Sequence, residues 1–250
     1  MIVMSSLLFS GLITSLILLF FDPKQETLFP LALLIGEILL VIPLFLLLYK
    51  SKKSILKSIR LNSISKFDIT NSIMLSIGIV FFSDEIDRLI GIIIPPPDML
   101  NNINSSLSIN NPLALILIFI SAVPIASFAE EVLFRGYFQQ ILEKQWNNIT
   151  KAVLMSSLFF ALIHLIPYWL IQIYLLGIIM GYLSWKTNSI IPSMILHAIN
   201  NTMAFLSANW ENSFNGWYII NGHVSPLILA IGLILIYLGF KKLNKSFNIT

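Results

Sequence analysis

The sequence predicts an all-α, polytopic membrane protein with about eight transmembrane helices. Its 250 residues are 57% hydrophobic and only 11% charged, and the mean hydropathy is +0.87. A soluble domain of this size carries roughly a quarter charged residues, so nucleic-acid binding and an ordinary cytosolic enzyme are excluded. Because the chain has no cysteine, disulfides, thiolate metal sites and a cysteine nucleophile are excluded as well.

Eight apolar stretches carry the prediction of eight spans. A helix needs about 20 mostly apolar residues to cross the hydrocarbon core, and polar or proline-containing segments separate the stretches. They run from Ile2 to Phe21, Leu28 to Tyr49, Ile69 to Ile94, Pro112 to Leu142, Lys151 to Pro167, Tyr168 to Trp185, Ile190 to Ser207 and Pro226 to Phe240. The first stretch lacks the basic segment and the cleavage site of a secretory signal, so we expect a retained span. With no internal repeat and no soluble segment, residues 1–250 are predicted to form a single membrane-embedded domain.

Basic residues predict the orientation, because short cytoplasmic loops are enriched in lysine and arginine. If the spans alternate, most basic residues fall on one side, which we call the Lys-rich end: Lys50, Lys52, Lys53, Lys57, Arg60, Lys66, Lys144, Lys151, Lys186, Lys241, Lys242 and Lys245. Lys24 falls on the other side, and Arg88 and Arg135 lie in spans or at their ends. Both termini are therefore predicted to be cytoplasmic, in a multi-pass protein of the cell membrane. The stretch from Lys50 to Lys66 is interpreted mainly as a topology signal.

Ionisable and amide side chains inside spans are expensive in hydrocarbon, so each is a candidate for a functional site. Glu130 lies 13 residues before Glu143, at the Lys-rich end of its helix, which is about 20 Å. His164 likewise lies 13 residues after Lys151. His197 and Asn201 lie 8 and 12 residues after Ser189, or about 12 to 18 Å. These similar depths predict one buried site, built from three helices and opening towards the cytoplasm.

Residues four apart lie on one face of a helix, and two such pairs support the site. Glu131 and Arg135 are predicted to form an ion pair, which leaves Glu130 without an obvious local partner. Phe160 stands one turn before His164 and is predicted to shield the imidazole. Glu131, Arg135 and Phe160 are therefore predicted to be supporting residues.

The carboxylate, the two imidazoles and the amide of the predicted site together predict peptide hydrolysis. Glu130 and His164 would orient and deprotonate a water, while His197 and Asn201 would donate hydrogen bonds to the developing oxyanion. The same Glu130, His164 and His197 could instead hold a divalent metal such as zinc, which would activate the water. The sequence leaves both mechanisms open. The expected partners are the lipid bilayer and a membrane-associated peptide or protein substrate, with no nucleic acid.

Three motifs in order resemble those of the CPBP family, which comprises the type II (Rce1-like) CAAX prenyl proteases and the Abi proteins. The run Glu130–Arg135 resembles the family's EExxxR motif, Phe160–His164 its FxxxH motif and His197–Asn201 its HxxxN motif. All three lie within residues 126–201, which form the predicted catalytic core.

The resemblance implies an eight-helix intramembrane protease whose cavity opens to the cytoplasmic leaflet. Glu130 would be the catalytic glutamate and His164 its water-orienting partner. His197 and Asn201 would be oxyanion donors or ligands.

Two other functions, each of a different class from a protease, are also considered. A non-catalytic immunity or scaffold factor of the same family would tolerate loss of the polar set, which is intact here. A small transporter would place polar residues around a midplane site, often with inverted repeats and broken helices, whereas here they lie towards one side. The remaining polar residues are predicted to be structural: Asp84, Glu85, Asp87 and Arg88 at the outer interface, and Glu37 and Asn200 in bonds between helices. His223 is predicted to have no role.

Overall fold

The computed structural model describes residues 2–20, 26–98, 109 and 111–247. Its helices are α1 (Ile2–Phe20), α2 (Leu28–Lys50), α3 (Ile55–Ser58), α4 (Lys66–Ile93), α5 (Pro112–Trp146), α6 (Ile149–Ile163), α7 (Leu170–Thr187), α8 (Ile191–Trp210) and α9 (Pro226–Ser246). A short antiparallel hairpin of β1 (Ile219–Ile220) and β2 (His223–Val224) precedes α9. The predicted all-α membrane fold is confirmed. Lys24 and most of the loop from Pro95 to Asn111 lie outside the described residues.

Within the described part of the chain, five helices are long and apolar enough to cross a membrane: α1, α2, α5, α7 and α9. The helices α4 and α8 have the length but are less apolar or more charged, and α6 has only 15 residues. Leucine side chains such as Leu8, Leu19 and Leu227 are exposed on these helices, as expected for surfaces that face lipid. The count of eight spans and the cytoplasmic placement of the termini remain predictions.

Asparagine residues make the turns at the Lys-rich end short. Asn147 ends α5 and Asn188 ends α7, both in the left-handed conformation with φ of 46° and 48°, which asparagine tolerates better than most residues. Asn148 then begins α6, and its side chain accepts a hydrogen bond from the backbone N–H of Lys151. Only a few residues therefore separate α5 from α6 and α7 from α8.

A segment from the long basic connection packs into this end of the bundle. We call Ile59–Asn62 the docked segment. Its Arg60 forms an ion pair with Glu143 of α5, and the Arg60 carbonyl accepts a hydrogen bond of 3.0 Å from the N–H of Ile190. A Cβ atom on Gly136 would lie 2.5 Å from the Ile59 carbonyl oxygen, so glycine is needed for this approach. The stretch predicted as a topology signal is thus also part of the packed structure.

Helix α6 ends four residues before its predicted boundary at Pro167. Leu165 adopts a positive φ of 55°, which a helix interior does not accommodate, and Ile166 is extended because it precedes a proline. The 15 residues of α6 span about 22 Å, less than the hydrocarbon thickness of about 30 Å. His164, at the end of α6, is therefore held inside the bundle.

Candidate active site

Glu130 and Glu131 lie on α5 between two π-helical segments, Ser121–Ile125 and Phe134–Phe138. Such wide turns are frequent at functional sites. The Asn201 side chain of α8 donates a hydrogen bond of 2.8 Å to the Ala122 carbonyl in the first segment. This bond ties the end of the HxxxN motif to the helix that carries the two glutamates.

The predicted ion pair of Glu131 and Arg135 is formed, and both side chains are fully buried. Glu131 Oε1 also accepts a hydrogen bond of 3.1 Å from His197 Nδ1, and Arg135 Nη2 donates one of 3.2 Å to the Gly177 carbonyl. A Cβ atom on Gly177 would lie 3.3 Å from Arg135 Nη2. Each buried charge is thus paired and further bonded, which is the condition under which burial of charge is tolerated.

The Phe160 ring packs among three polar groups of the site. The guanidinium carbon of Arg135 lies 4.1 Å from its centroid, and its edge-to-face contacts with His164 and His197 have centroid distances of 4.8 and 5.8 Å. Contacts of both kinds are favourable. Phe160 therefore orients both imidazoles, which is more than the predicted shielding of His164.

Both imidazoles turn Nε2 towards Glu130, whose Oε2 lies 3.9 Å from each. His164 Nδ1 lies 2.7 Å from the Phe160 carbonyl oxygen, and His197 Nδ1 is bonded to Glu131. Carbonyl and carboxylate oxygens only accept hydrogen bonds, so the bonding assigns the proton to Nδ1 in both rings. In the neutral state each Nε2 then presents a lone pair to Glu130. We call Glu130, His164 and His197 the cluster.

The spacing within the cluster suits a bound water. A distance of 3.9 Å is too long for a direct hydrogen bond, but one water oxygen can reach both atoms. Glu130 Oε2 is buried and accepts no hydrogen bond from the described residues. The cluster thus combines an unsatisfied carboxylate oxygen with imidazole lone pairs, an arrangement that can hold and deprotonate a water.

A cavity of about 890 Å³ adjoins the cluster and is lined by His164, His197 and Asn201. It extends along α4 to Arg88 and along α8 to Trp210, which is away from the Lys-rich end. The prediction of an opening towards the Lys-rich side thus differs from the course of this cavity among the described residues, and the cytoplasmic placement of that side remains a prediction. The docked segment packs into that end, while α6 ends short on the other side.

Four residues of this cavity were predicted to be structural. Asp84, Asp87 and Arg88 of α4 line the cavity, and so does Asn200 of α8. Asp84 Oδ2 pairs with Arg88 Nε at 3.2 Å, as their spacing of four residues allows. Nothing in the α4 sequence shows that this polar face meets the site, because that depends on the packing of α4 against α8.

The sequence also gave no sign of the partners of His223 and Glu37. His223, predicted to have no role, lies with Nδ1 2.8 Å from Glu85 Oε1 and so helps to hold the hairpin on α4. In the same connection, burial and then the Asp84 carboxylate raise the pKa of the Tyr218 hydroxyl. Glu37 Oε2, for which a bond to another helix was predicted, has no hydrogen-bond partner among the described residues.

The cluster has donor atoms of the kinds that zinc prefers. In the described ranges, however, no group of three or more histidine, aspartate or glutamate side chains is arranged to hold a metal ion. The metal-dependent mechanism remains a prediction.

The fold is that of a multi-pass integral membrane protein, with a buried cluster of one carboxylate and two imidazoles beside a cavity. Residues 112–203 match the family described as type II CAAX prenyl endopeptidase Rce1-like. This part of the chain is therefore similar to an Rce1-like domain, and the resemblance to the CPBP family is confirmed. The match covers the cluster and all three motifs. Neither a curated protein nor a solved structure matches the chain. Because the matched family is a family of proteases, the match supports an intramembrane endopeptidase of the CAAX type.

Proposed function

We propose that the protein hydrolyses a peptide bond of a membrane-associated substrate, with Glu130 as the group that activates water. The observation that carries this proposal is the position of Glu130 Oε2, buried beside a cavity and 3.9 Å from Nε2 of both His164 and His197. A carboxylate in this position is suited to proton transfer, because it is within reach of the same water as an imidazole.

The water donates one hydrogen to Glu130 Oε2 and the other to His164 Nε2. As the water oxygen attacks the carbonyl carbon of the substrate, Glu130 takes its proton. When the tetrahedral intermediate collapses, Glu130 passes this proton to the leaving amine nitrogen and the C–N bond breaks. His164 orients the water throughout, and its bond to the Phe160 carbonyl fixes the ring.

Asn201 and His197 are the proposed donors to the oxyanion. One N–H of the Asn201 amide is bonded to the Ala122 carbonyl, and the amide has a second N–H. His197 can donate from Nε2 only when both of its ring nitrogens carry a proton, and its Nδ1 is bonded to Glu131. Loss of one oxyanion donor typically lowers turnover by about 10² to 10³.

The metal-dependent alternative uses the same side chains. Glu130, His164 and His197 would be the ligands, and a bound ion would supply a Lewis acid. Metal analysis of the purified protein, together with cleavage assays before and after treatment with a chelator, separates the alternatives. One bound zinc per chain and loss of activity on chelation would support the metal. Full activity of metal-free protein would support water activation by Glu130 and His164.

The test compares membrane proteins and secreted peptides from cells that carry the wild type, Glu130→Gln or the matched control Glu26→Gln at equal expression. Glu26 is exposed in the turn before α2, outside the cavity. We expect certain fragments to disappear and their precursors to accumulate only with Glu130→Gln. Identical profiles, combined with a phenotype for the deletion, would contradict the proposal and support the immunity or scaffold alternative.

A further inference from the structure

Four of the lysines at the Lys-rich end are close together in sequence. Lys50, Lys52, Lys53 and Lys57 lie within residues 50–57, which lead from the end of α2 towards the docked segment and which we call the basic turn. All four residues are exposed. Their positive charge is therefore presented to the surroundings of the bundle at the point where an apolar helix ends.

The basic turn is held in place on both sides. After α2, the N–H of Lys53 donates a hydrogen bond of 3.1 Å to the Leu48 carbonyl. At the end of α3, the Ser58 carbonyl accepts a hydrogen bond of 3.0 Å from the Gln140 side chain of α5, and the docked segment begins at the next residue. The lysines are thus carried by a backbone that is fixed to the bundle.

These lysines have no acidic partner among the described residues. Every ion pair in the described part of the chain uses arginine or histidine as its cation. Of the acidic residues at the Lys-rich end, Glu143 is paired with Arg60, and Asp68 is buried and accepts a hydrogen bond from the Ser65 hydroxyl. The like charges of the basic turn repel one another, so an anion that binds there stabilises the folded protein.

Apolar side chains border the lysines of the basic turn. Tyr49 is 77% exposed and Leu56 is 58% exposed, and they are next to Lys50 and Lys57 in sequence. Ile55, by contrast, packs against the core. Lysine combined with exposed aromatic and aliphatic side chains is typical of a membrane interface, where the apolar groups contact acyl chains and the lysines reach the headgroups. The apolar neighbours therefore favour a lipid over a soluble acidic protein as the partner.

We propose that the basic turn binds the phosphate headgroup of an anionic phospholipid. Each lysine supplies a point charge and three donors, and phosphate oxygens accept hydrogen bonds. The predicted cytoplasmic placement of this end agrees with the choice, because cytoplasmic leaflets carry anionic lipids that attract lysine clusters next to a transmembrane helix. None of these lysines belongs to the cluster, so lipid binding is separate from the peptidase function.

Lipid bound at the basic turn stabilises the docked segment, because the two are continuous in the chain. In the docked segment, the Arg60 carbonyl accepts a hydrogen bond of 3.0 Å from the N–H of Ile190, and the Asn62 carbonyl accepts one of 2.6 Å from the Ser189 hydroxyl. These bonds join the segment to the start of α8, which carries the HxxxN motif. A ligand that binds only the folded state stabilises it, so anionic lipid should slow hydrogen exchange at the Ile190 amide.

The test places the full chain in nanodiscs of phosphatidylcholine alone or of phosphatidylcholine mixed with phosphatidylglycerol. The variant of the basic turn carries Lys52→Gln, Lys53→Gln and Lys57→Gln. The matched control loses the same charge at the same end of the bundle, from α9, through Lys241→Gln, Lys242→Gln and Lys245→Gln. Glutamine has nearly the helix propensity of lysine, so both variants should fold. Thermal unfolding and hydrogen exchange at the Ile190 amide are measured in each nanodisc.

We expect phosphatidylglycerol to raise the unfolding temperature of the wild type by about 2 to 4 °C, the shift for a fivefold gain in the folding equilibrium at this chain length. The variant of the basic turn should lose this rise and the control should keep it. Exchange at the Ile190 amide should slow with phosphatidylglycerol in the wild type and the control only. High salt should remove the rise, because it screens exposed charges. Inorganic phosphate should have no effect in phosphatidylcholine alone.

Three results would overturn the proposal. If phosphatidylglycerol does not stabilise the wild type, the partner is not an anionic lipid. If both triple variants lose the rise equally, the membrane attracts the charge of this end in general and the basic turn is not a site. If inorganic phosphate in phosphatidylcholine alone gives the same rise, the turn binds a free anion. None of these measurements uses cleavage, so the peptidase function stands or fails separately.

Discussion

The two ends of the helix bundle use the same ion-pair chemistry for different purposes. At the Lys-rich end, Arg60 and Glu143 join two segments far apart in sequence, with side chains 7% and 10% exposed. At the opposite end, Arg88 and Asp84 pair within one helix, with side chains 19% and 17% exposed, and line the cavity. The first pair holds the bundle together, whereas the second remains accessible to a ligand. An ion pair between distant segments thus indicates packing of the bundle, whereas a pair within one helix can line a cavity.

The difference extends to the connections between helices. Two residues separate α5 from α6 at the Lys-rich end, and three separate α7 from α8. At the other end, α8 and α9 are separated by residues 211–225, which contain the hairpin. Short connections and the docked segment fix the spacing of the helices that carry the motifs. The cavity lies towards the end with the longer connection, where binding residues are usually found on a rigid scaffold.

The largest expected effect comes from His164, at the bottom of the cavity. His164→Ala removes the group that orients the water, so turnover should fall by about 10² to 10⁴. Stability should change little, because this side chain is 27% exposed and lies at the end of α6. The measurement is cleavage of a substrate identified with Glu130→Gln, together with thermal unfolding in detergent.

His223→Ala is the matched control, because His223 lies at the same end but bonds to Glu85 rather than facing the cluster. We expect it to retain turnover. An equal loss in both variants would show that any histidine at this end affects activity, which would remove the distinction between the cluster and its surroundings.

The second prediction compares the two ion pairs directly. Arg60→Met leaves Glu143 buried without its charged partner, so the free energy of unfolding should fall by about 3 kcal/mol, as when other buried pairs are broken. Arg88→Met breaks a more exposed pair and should cost less than about 1 kcal/mol. Denaturant unfolding in one detergent measures both. Equal losses would mean that the two ends do not differ in packing.

The sequence predicted the helices and the shared depth of the motifs because both depend on local properties. Apolar runs and a fixed rise per residue locate the helices, and a spacing of four residues predicts the Glu131–Arg135 pair. The eight predicted stretches all correspond to helices in the described residues. The cluster itself forms because α5, α6 and α8 bring Glu130, His164 and His197 to one level.

The direction of the cavity could not be predicted in this way. It depends on the early end of α6, caused by the conformation of Leu165, and on the contact of Arg60 with Glu143 across 83 residues of sequence. Lysine-rich loops are expected to be solvated, so their composition does not reveal a docked segment. The expected opening towards the Lys-rich end came from the depth of the polar residues and from the family resemblance, and neither of these includes the packing of the surrounding segments.

The third prediction tests the close approach of the docked segment to α5. In Gly136→Ala the new Cβ would lie 2.5 Å from the Ile59 carbonyl oxygen, so the segment must move, at a cost of about 1 to 3 kcal/mol. Gly11→Ala is the control, because nothing lies within 4 Å of its added Cβ. Alanine there should be neutral or stabilise α1 by up to about 1 kcal/mol. Thermal unfolding of the two variants measures the difference, and a Gly136→Ala protein as stable as Gly11→Ala would contradict the packing of this end.

The smallest expected effect is at the hairpin that covers part of α4. Glu85 Oε1 accepts a hydrogen bond from His223 Nδ1, and Oε2 accepts one of 2.7 Å from the N–H of Val224. Glu85→Gln keeps one oxygen acceptor but places an NH₂ group against the other donor, so docking of the hairpin should weaken by about 1 kcal/mol. Hydrogen exchange at the Val224 amide should then be about five times faster, with turnover unchanged because Glu85 does not contact the cluster. A loss of turnover comparable to that of His164→Ala would instead show that the hairpin is part of the site. Docking of the hairpin on α4 would then be required for catalysis, as the cluster is.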